Sequence, residues 1–301
     1  MTNFNNLESE IQNPKSNINN LPIGIFDSGV GGLTVYRALH EKLPNERFVY
    51  LGDTARVPYG TKSLATVERY AIENSLFLVS RGIKLLVVAC NTASALALPR
   101  IRETVGVDVV GVIGPGARKA VTITNGKKQA KIGVIATEAT VSSHAYRAAI
   151  KKASPGATVI ETACPLFVSL AEEGWADSDE ARSIAAKYLK EIVESKVDAL
   201  VLGCTHYPIL RGVIQKTVGD NVTLIDSGEA TAEEIADLLN KKNLASAEKN
   251  AKVTRSLCDD LDHFYVTDAA ERFARVAERF LGATPAKLEA IEVFGRLSFY
   301  E

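Results

Sequence analysis

The chain has no run approaching the roughly 18 unbroken apolar residues that a membrane span needs, and no block of Lys or Arg. Basic and acidic residues number 35 and 36 and are interspersed, for a net charge of −1. Such a balance offers little to a phosphate backbone or an anionic bilayer, so neither a nucleic acid nor a membrane is expected as a partner. Cysteine is scarce: Cys90, Cys164, Cys204 and Cys258 are far apart and form no CxxC pair. A disulfide framework is therefore not expected, and a reducing cytoplasm is the expected setting. Histidine is equally sparse, and no two of His40, His144, His206 and His263 stand at zinc-ligand spacing, which argues against a metal. The first twenty residues contain seven Asn and no apolar segment. They read as neither signal peptide nor anchor, and residues 1–20 are expected to be a disordered tail.

What remains is a globular composition, 46% hydrophobic and 24% charged over 301 residues, enough for about two domains. Short apolar, β-branched runs at 22–27, 47–53, 83–90, 107–113, 131–137, 157–163, 197–204 and 221–226 read as strands. They are nearly continuous in hydrophobicity, as strands of a parallel sheet covered on both faces are. Helical patterns alternate with them. Ser63 precedes one that Gly82 stops, and Ile184, Tyr188 and Ile192 form an apolar stripe in another. The expectation is an α/β fold with mostly parallel sheets. A faint repeat runs through it: 131–140 echoes 22–31, and 197–206 echoes 83–92. If the chain is duplicated, each of two similar lobes sets one cysteine at the carboxyl end of a strand, where open α/β sheets bind ligands.

Cys90-Asn91-Thr92-Ala93-Ser94 joins a strand to a helical pattern, with Asn91, Thr92 or Ser94 as its cap. A thiol just before a helix N-terminus is expected to have a lowered pKa. Cys204-Thr205-His206-Tyr207-Pro208 has the same construction, with Pro208 as the first residue of a helix to about Val218 and Gly219 at its end. His206 stands where it could tune the Cys204 thiol, or serve only as a structural histidine. Asp27-Ser28-Gly29-Val30-Gly31-Gly32 follows the first strand but fits neither phosphate-binding glycine pattern. Asp27 there would repel phosphate and suits an ammonium group, a nearby thiol, or the capping of a tight turn. Val57-Pro58-Tyr59-Gly60 reads as a turn after the second strand.

Two cysteines on equivalent lobes could face one another across a cleft. One thiolate and one thiol on opposite sides of a carbon can remove a proton from one face and return it to the other, inverting the centre without a cofactor. A cysteine hydrolase would want a Cys-His-Asn or Cys-His-Asp set and no second cysteine.

The set FDSGVGGL, VPYG, VVACNTAS and LGCTHYP, in this order, resembles bacterial glutamate racemase within the aspartate/glutamate racemase superfamily. The resemblance covers about residues 22 to 295. It implies two similar α/β domains, residues 21–113 plus 226–301 and residues 114–225, with the active site in the cleft between them. It also implies no pyridoxal phosphate and no metal, a homodimer, and interconversion of L- and D-glutamate that supplies D-glutamate for peptidoglycan. Cys90 would deprotonate D-glutamate with Asp27 assisting, and Cys204 would deprotonate L-glutamate with His206 assisting. Substrate contacts would fall on Asp27, Ser28, Tyr59, Gly60, Asn91, Thr92, Thr205 and His206, with Thr137 and Thr140 near the substrate side chain. An acidic residue beside the second cysteine would be Glu172 or Glu173. Cys164 and Cys258 match no motif and keep a structural reading. The rival readings are a racemase for another amino acid, such as aspartate, and a non-catalytic amino-acid binding protein on the same scaffold.

Overall fold

The computed structural model describes residues 18–124, 127, 129–246 and 255–293. The tail expected over residues 1–20 lies, up to residue 17, outside the described residues. Strands β1 (Ile23–Asp27), β2 (Phe48–Gly52), β3 (Leu85–Val88) and β4 (Asp108–Gly111) come first in the chain. Then follow β5 (Lys131–Ala136), β6 (Thr158–Ala163), β7 (Ala199–Gly203) and β8 (Thr223–Asp226), and finally β9 (His263–Val266) and β10 (Leu288–Ala290). One sheet has six strands in the order β10-β9-β2-β1-β3-β4, and the other has four in the order β6-β5-β7-β8. Every pairing among these strands is parallel.

Each of the eight runs read from the sequence contains one of β1 to β8. Every residue of β1, β2, β3 and β7 is buried, which is why these segments carry apolar side chains on both faces rather than alternating. The faint repeat is a topological one. The order β2-β1-β3-β4 in one sheet is matched by β6-β5-β7-β8 in the other. Cys90 follows β3 and Cys204 follows β7, so the two thiols occupy equivalent places. In each unit the strand order reverses between the first strand and the third, and the crevice at that point is the ligand position of open α/β sheets.

The helix Leu64–Ser80 is capped by Ser63, whose Oγ accepts from the Thr66 N–H at 3.4 Å, and Gly82 stops it at φ +72°. Three local expectations need correction. The helix after Cys90 is capped by the Cys90 sulfur itself, not by Asn91, Thr92 or Ser94, and it breaks before Pro99 into Asn91–Leu96 and Leu98–Thr104. Pro lacks the N–H that would have continued the first ladder. Pro208 opens a 3-10 turn, Tyr207–Leu210, and the α-helix begins only at Arg211. The stripe of Ile184, Tyr188 and Ile192 spans two helices, Asp179–Tyr188 and Lys190–Glu194, and of the three only Ile192 is fully buried.

The strands β9 and β10 were not expected from the sequence. They extend the first sheet beyond β2, with β9 pairing β2 from Val49↔His263 to Gly52↔Val266. Buried Asp262 fixes this return: it accepts from the Tyr36 hydroxyl and the Phe48 N–H, each at 2.8 Å, and pairs with Arg255 at 2.8 Å. Such a carboxylate is tolerated in the interior because its lone pairs are met. One hydrophobic cluster runs through both sheets, from Ile25 and Val87 to Leu200 and Tyr207. Among the described residues no helix is long and apolar enough to cross a membrane.

Candidate active site

The first half of the site grows from the ends of β1 and β3. Asp27 closes β1 and is fully buried, and its Oδ2 accepts from the Gly29 N–H at 2.9 Å. Tyr50 donates to the Gly29 carbonyl at 2.7 Å and holds the loop down. Glycine is needed at 31 for a reason of space. A Cβ there would stand 2.3 Å from Thr205 Oγ1 and 2.5 Å from His206 Nδ1, both belonging to the second unit. From β3 the chain delivers Cys90, whose Sγ accepts from the Ala93 N–H at 3.5 Å. After β2 comes Tyr59, whose hydroxyl donates to buried Asp53. Asp53 also binds Arg56 Nε at 2.7 Å, Asn74 Nδ2 at 3.1 Å and the Thr267 hydroxyl at 2.9 Å. This network anchors the turn that carries Tyr59 and Gly60.

The second half comes from β5, β7 and the helix Leu166–Glu173. Cys204 Sγ lies 3.8 Å from His206 Nδ1, and His206 Nε2 lies 2.9 Å from Glu172 Oε1. Three hydroxyls join the halves: Thr92 Oγ1 is 3.0 Å from that of Thr137 and 3.2 Å from that of Thr140, and the last two are 3.1 Å apart. The Thr34 hydroxyl donates across to the Thr205 carbonyl at 2.8 Å. Asn91 receives the Tyr146 hydroxyl on its Oδ1 at 2.6 Å, while its buried Nδ2 has no protein partner. A buried amide donor left open at a cavity is a ready contact for a carboxylate oxygen.

The electrostatics differ on the two sides. Burial, followed by the charge of Asp27, pushes the Cys90 thiol up to about 12, against weaker help from Ser28 and the Ala93 N–H. The lowering expected from the helix N-terminus is therefore overturned, because desolvation of a buried sulfur outweighs one N–H and a short helix dipole. Burial also raises Asp27, opposed by the positive charge of His206. For His206 burial acts downward, yet its hydrogen bonds and attraction to Cys204 and Glu172 win, and it rises to about 10. Glu172 moves the opposite way: burial would raise it, but His206 and Arg272 hold it below its ordinary value. A histidine near 10 is an imidazolium at neutral pH, set between the Cys204 sulfur and the Glu172 carboxylate.

A single cavity is lined by Cys90 and Cys204 together with Ser28, Tyr59, Gly60, Asn91, Thr92, Thr137, Glu172, Thr205 and His206. The model of the Asp/Glu/hydantoin racemase family matches residues 23–235. The chain belongs to that family. A glutamate racemase from Geobacter metallireducens is 51% identical over 261 residues, covering 86% of this chain and 92% of that protein. Among solved structures, the glutamate racemase isoform RacE1 from Bacillus anthracis is 36% identical, with a TM-score of 0.83 over 91% of this chain and 98% of that one. The Francisella tularensis glutamate racemase, solved in complex with D-glutamate, is 38% identical, with a TM-score of 0.81 over 92% and 99%. An aspartate racemase homologue from Pyrococcus horikoshii shares the fold at 16% identity.

Within this family fold, the residues singled out in the sequence converge on one place, with two refinements. Asp27 does not line the cavity; it lies behind the loop, buried, and acts on Cys90 and His206 through its charge. Glu172, not Glu173, faces His206, since Glu173 turns to a separate groove with Leu166 and Trp175. Thr140 is buried just behind Thr137. Cys164 and Cys258 are buried outside the cavity lining. Sequence reasoning did not find Tyr146, Val168 or the Arg272 that binds Glu172. Val168 follows from Glu172, four residues along the same helix. Tyr146 and Arg272 have no local signal, because each acts from a helix remote in sequence. Among the described residues no group of three or more His, Cys, Asp or Glu side chains is set to hold a metal ion.

Proposed function

We propose that this protein is an amino-acid isomerase, a glutamate racemase that interconverts L- and D-glutamate through its two cysteines. The observation that carries the reading is the presence of Cys90 and Cys204 on one cavity, each at the same position of a repeated β-unit. The names of the relatives supply the substrate.

In this reading the substrate Cα sits between the sulfurs. One cysteine, as thiolate, takes the Cα proton, and the other, as thiol, gives a proton to the opposite face, so the pair ends in the reverse protonation state. Cys204 acts on L-glutamate and Cys90 on D-glutamate. The imidazolium of His206 stabilises a thiolate at Cys204 at 3.8 Å. Cys90, held near 12 with Asp27 behind it, needs a positive charge, and the substrate α-ammonium would supply one. Substrate would thereby prepare its own base. Asn91 Nδ2, Ser28, Thr92 and Thr205 offer donors to the carboxylates, and Gly60, Tyr59 and the Thr92–Thr137–Thr140 hydroxyls shape the side-chain end.

The same proposal includes a lobe division at about residues 113 and 226, a cytoplasmic homodimer, no cofactor, and a supply of D-glutamate for peptidoglycan. Incubation with L-glutamate in deuterium oxide tests the chemistry. Racemisation with solvent deuterium at Cα supports it, and racemisation without deuterium uptake rules out a two-base path. Parallel assays with aspartate and alanine decide the substrate.

A further inference from the structure

We infer that Arg272 is a positioning residue for the Cys204 side of the site, reaching from the six-stranded unit to hold the Glu172 carboxylate on His206. This rests on the two-cysteine reading above. The helix Ala270–Leu281 follows β9 of the first sheet, whereas Glu172, His206 and Cys204 belong to the second unit. Arg272 Nη2 donates to Glu172 Oε2 at 3.1 Å, while the other oxygen, Oε1, lies 2.9 Å from His206 Nε2. Each carboxylate oxygen thus has one charged partner, and the chain Arg272–Glu172–His206–Cys204 crosses from one unit to the other.

Two further contacts come from the same helix. Arg279 donates to the Glu172 backbone carbonyl and lies over Gly174, where a Cβ would stand 3.0 Å from Arg279 Cδ. Phe280 meets the His206 ring edge-on, with centroids 6.0 Å apart and planes at 87°. Positions 272, 279 and 280 lie on one helical face, spaced by two turns.

The Arg272 side chain is 58% exposed, so its ion pair adds little to overall stability. Its effect is on direction. Glu172 is 23% exposed on its side chain and, without Arg272, is free to turn its carboxylate into water and leave His206. The charged groups facing Glu172 are His206, Arg272 and Arg279, and those facing His206 are Cys204, Glu172 and Asp27. Arg272, from the first unit, thereby helps set the charge of the histidine beside the second base.

Histidine NMR on the full-length, 15N-labelled protein tests this. Only four histidines are present, and the His206 signal is the one lost in His206→Gln. Arg272→Gln is expected to lower the His206 midpoint by about one pH unit, tenfold in its protonation constant, with a fall in kcat. Arg272→Lys should restore most of both. In a Glu172→Gln background Arg272→Gln should shift nothing further, since the effect passes through Glu172. A His206 midpoint that is unmoved or raised in Arg272→Gln overturns the inference, as does a further shift in the Glu172→Gln background. The titration needs no turnover. Failure of the wild type to racemise glutamate would refute the proposed function and leave the Arg272 result standing.

Discussion

The Tyr146 hydroxyl donates to Asn91 Oδ1 at 2.6 Å, tying a helix of the second unit to the residue that follows Cys90 in the first. The bond fixes the amide so that its donor end is left for a ligand. Tyr146→Phe would leave Asn91 Oδ1 buried and unpaired, at a cost of about 1–3 kcal/mol. The amide would then turn toward another donor. The expected result is a rise of about tenfold in KM for glutamate with a smaller change in kcat. An unchanged KM alongside a lowered melting temperature would mean that Tyr146 serves only packing.

Loss of either thiol should stop racemisation without unfolding the protein. General acid–base groups contribute about 10²–10⁴ in rate, so Cys90→Ala and Cys204→Ala should each lose at least that range. Both thiols are free and buried; Cys90 Sγ accepts from the Ala93 N–H and Cys204 Sγ meets His206, contacts too weak to hold the fold. Circular dichroism spectra of the variants should overlay that of the wild type. Racemisation surviving at a tenth of the wild-type rate in either variant would remove that cysteine from the mechanism.

The strands β1 to β8 were legible because a parallel strand buried on both faces must be apolar throughout, and such runs stand out among helical patterns. The strands β9 and β10 were not, because they have only four and three residues and sit among charged neighbours. Their place depends on pairing beyond β2, which no local pattern encodes. The two cysteines could be read because each carries its own strand-to-helix junction. The choice of Glu172 over Glu173 could not, since it is decided by the rotation of one helix against His206. The raised pKa of Cys90 is invisible in the sequence for a related reason. The helix N-terminus is visible in sequence, while burial beside Asp27 is a property of the folded site.

Gly31 gives a test of how tightly the two units close. Gly31→Ala places a methyl group where Thr205 Oγ1 and His206 now stand, so the second unit must retreat from the first. A displacement of about 1 Å at a reacting centre can cost about 10²-fold, and that loss is expected in kcat/KM. Gly219→Ala is the matching control. It lies in open space outside the cavity lining but at φ +86° and ψ 161°, a conformation that essentially only glycine adopts, so it should cost about 1–3 kcal/mol of stability and leave kcat unchanged. Equal activity in the two variants would show that the contact around Gly31 is slack.

The pH dependence of stability should carry the signature of His206. Its folded pKa of about 10 lies above the ordinary value of about 6.5, so the folded state binds the proton more tightly than the unfolded chain. The resulting stabilisation is fully present below about pH 6.5 and is lost as the pH rises through about 10. Glu172 has the opposite sign, being held below the ordinary carboxylate range. Its contribution is present above that range and disappears as acid protonates it. Denaturant midpoints measured from about pH 6.5 to 10 should fall steeply for the wild type. They should fall much less for His206→Gln. Buried groups elsewhere act on both proteins alike and cancel in the difference, so parallel curves would mean that His206 is neutral in the folded protein and cannot support a thiolate at Cys204.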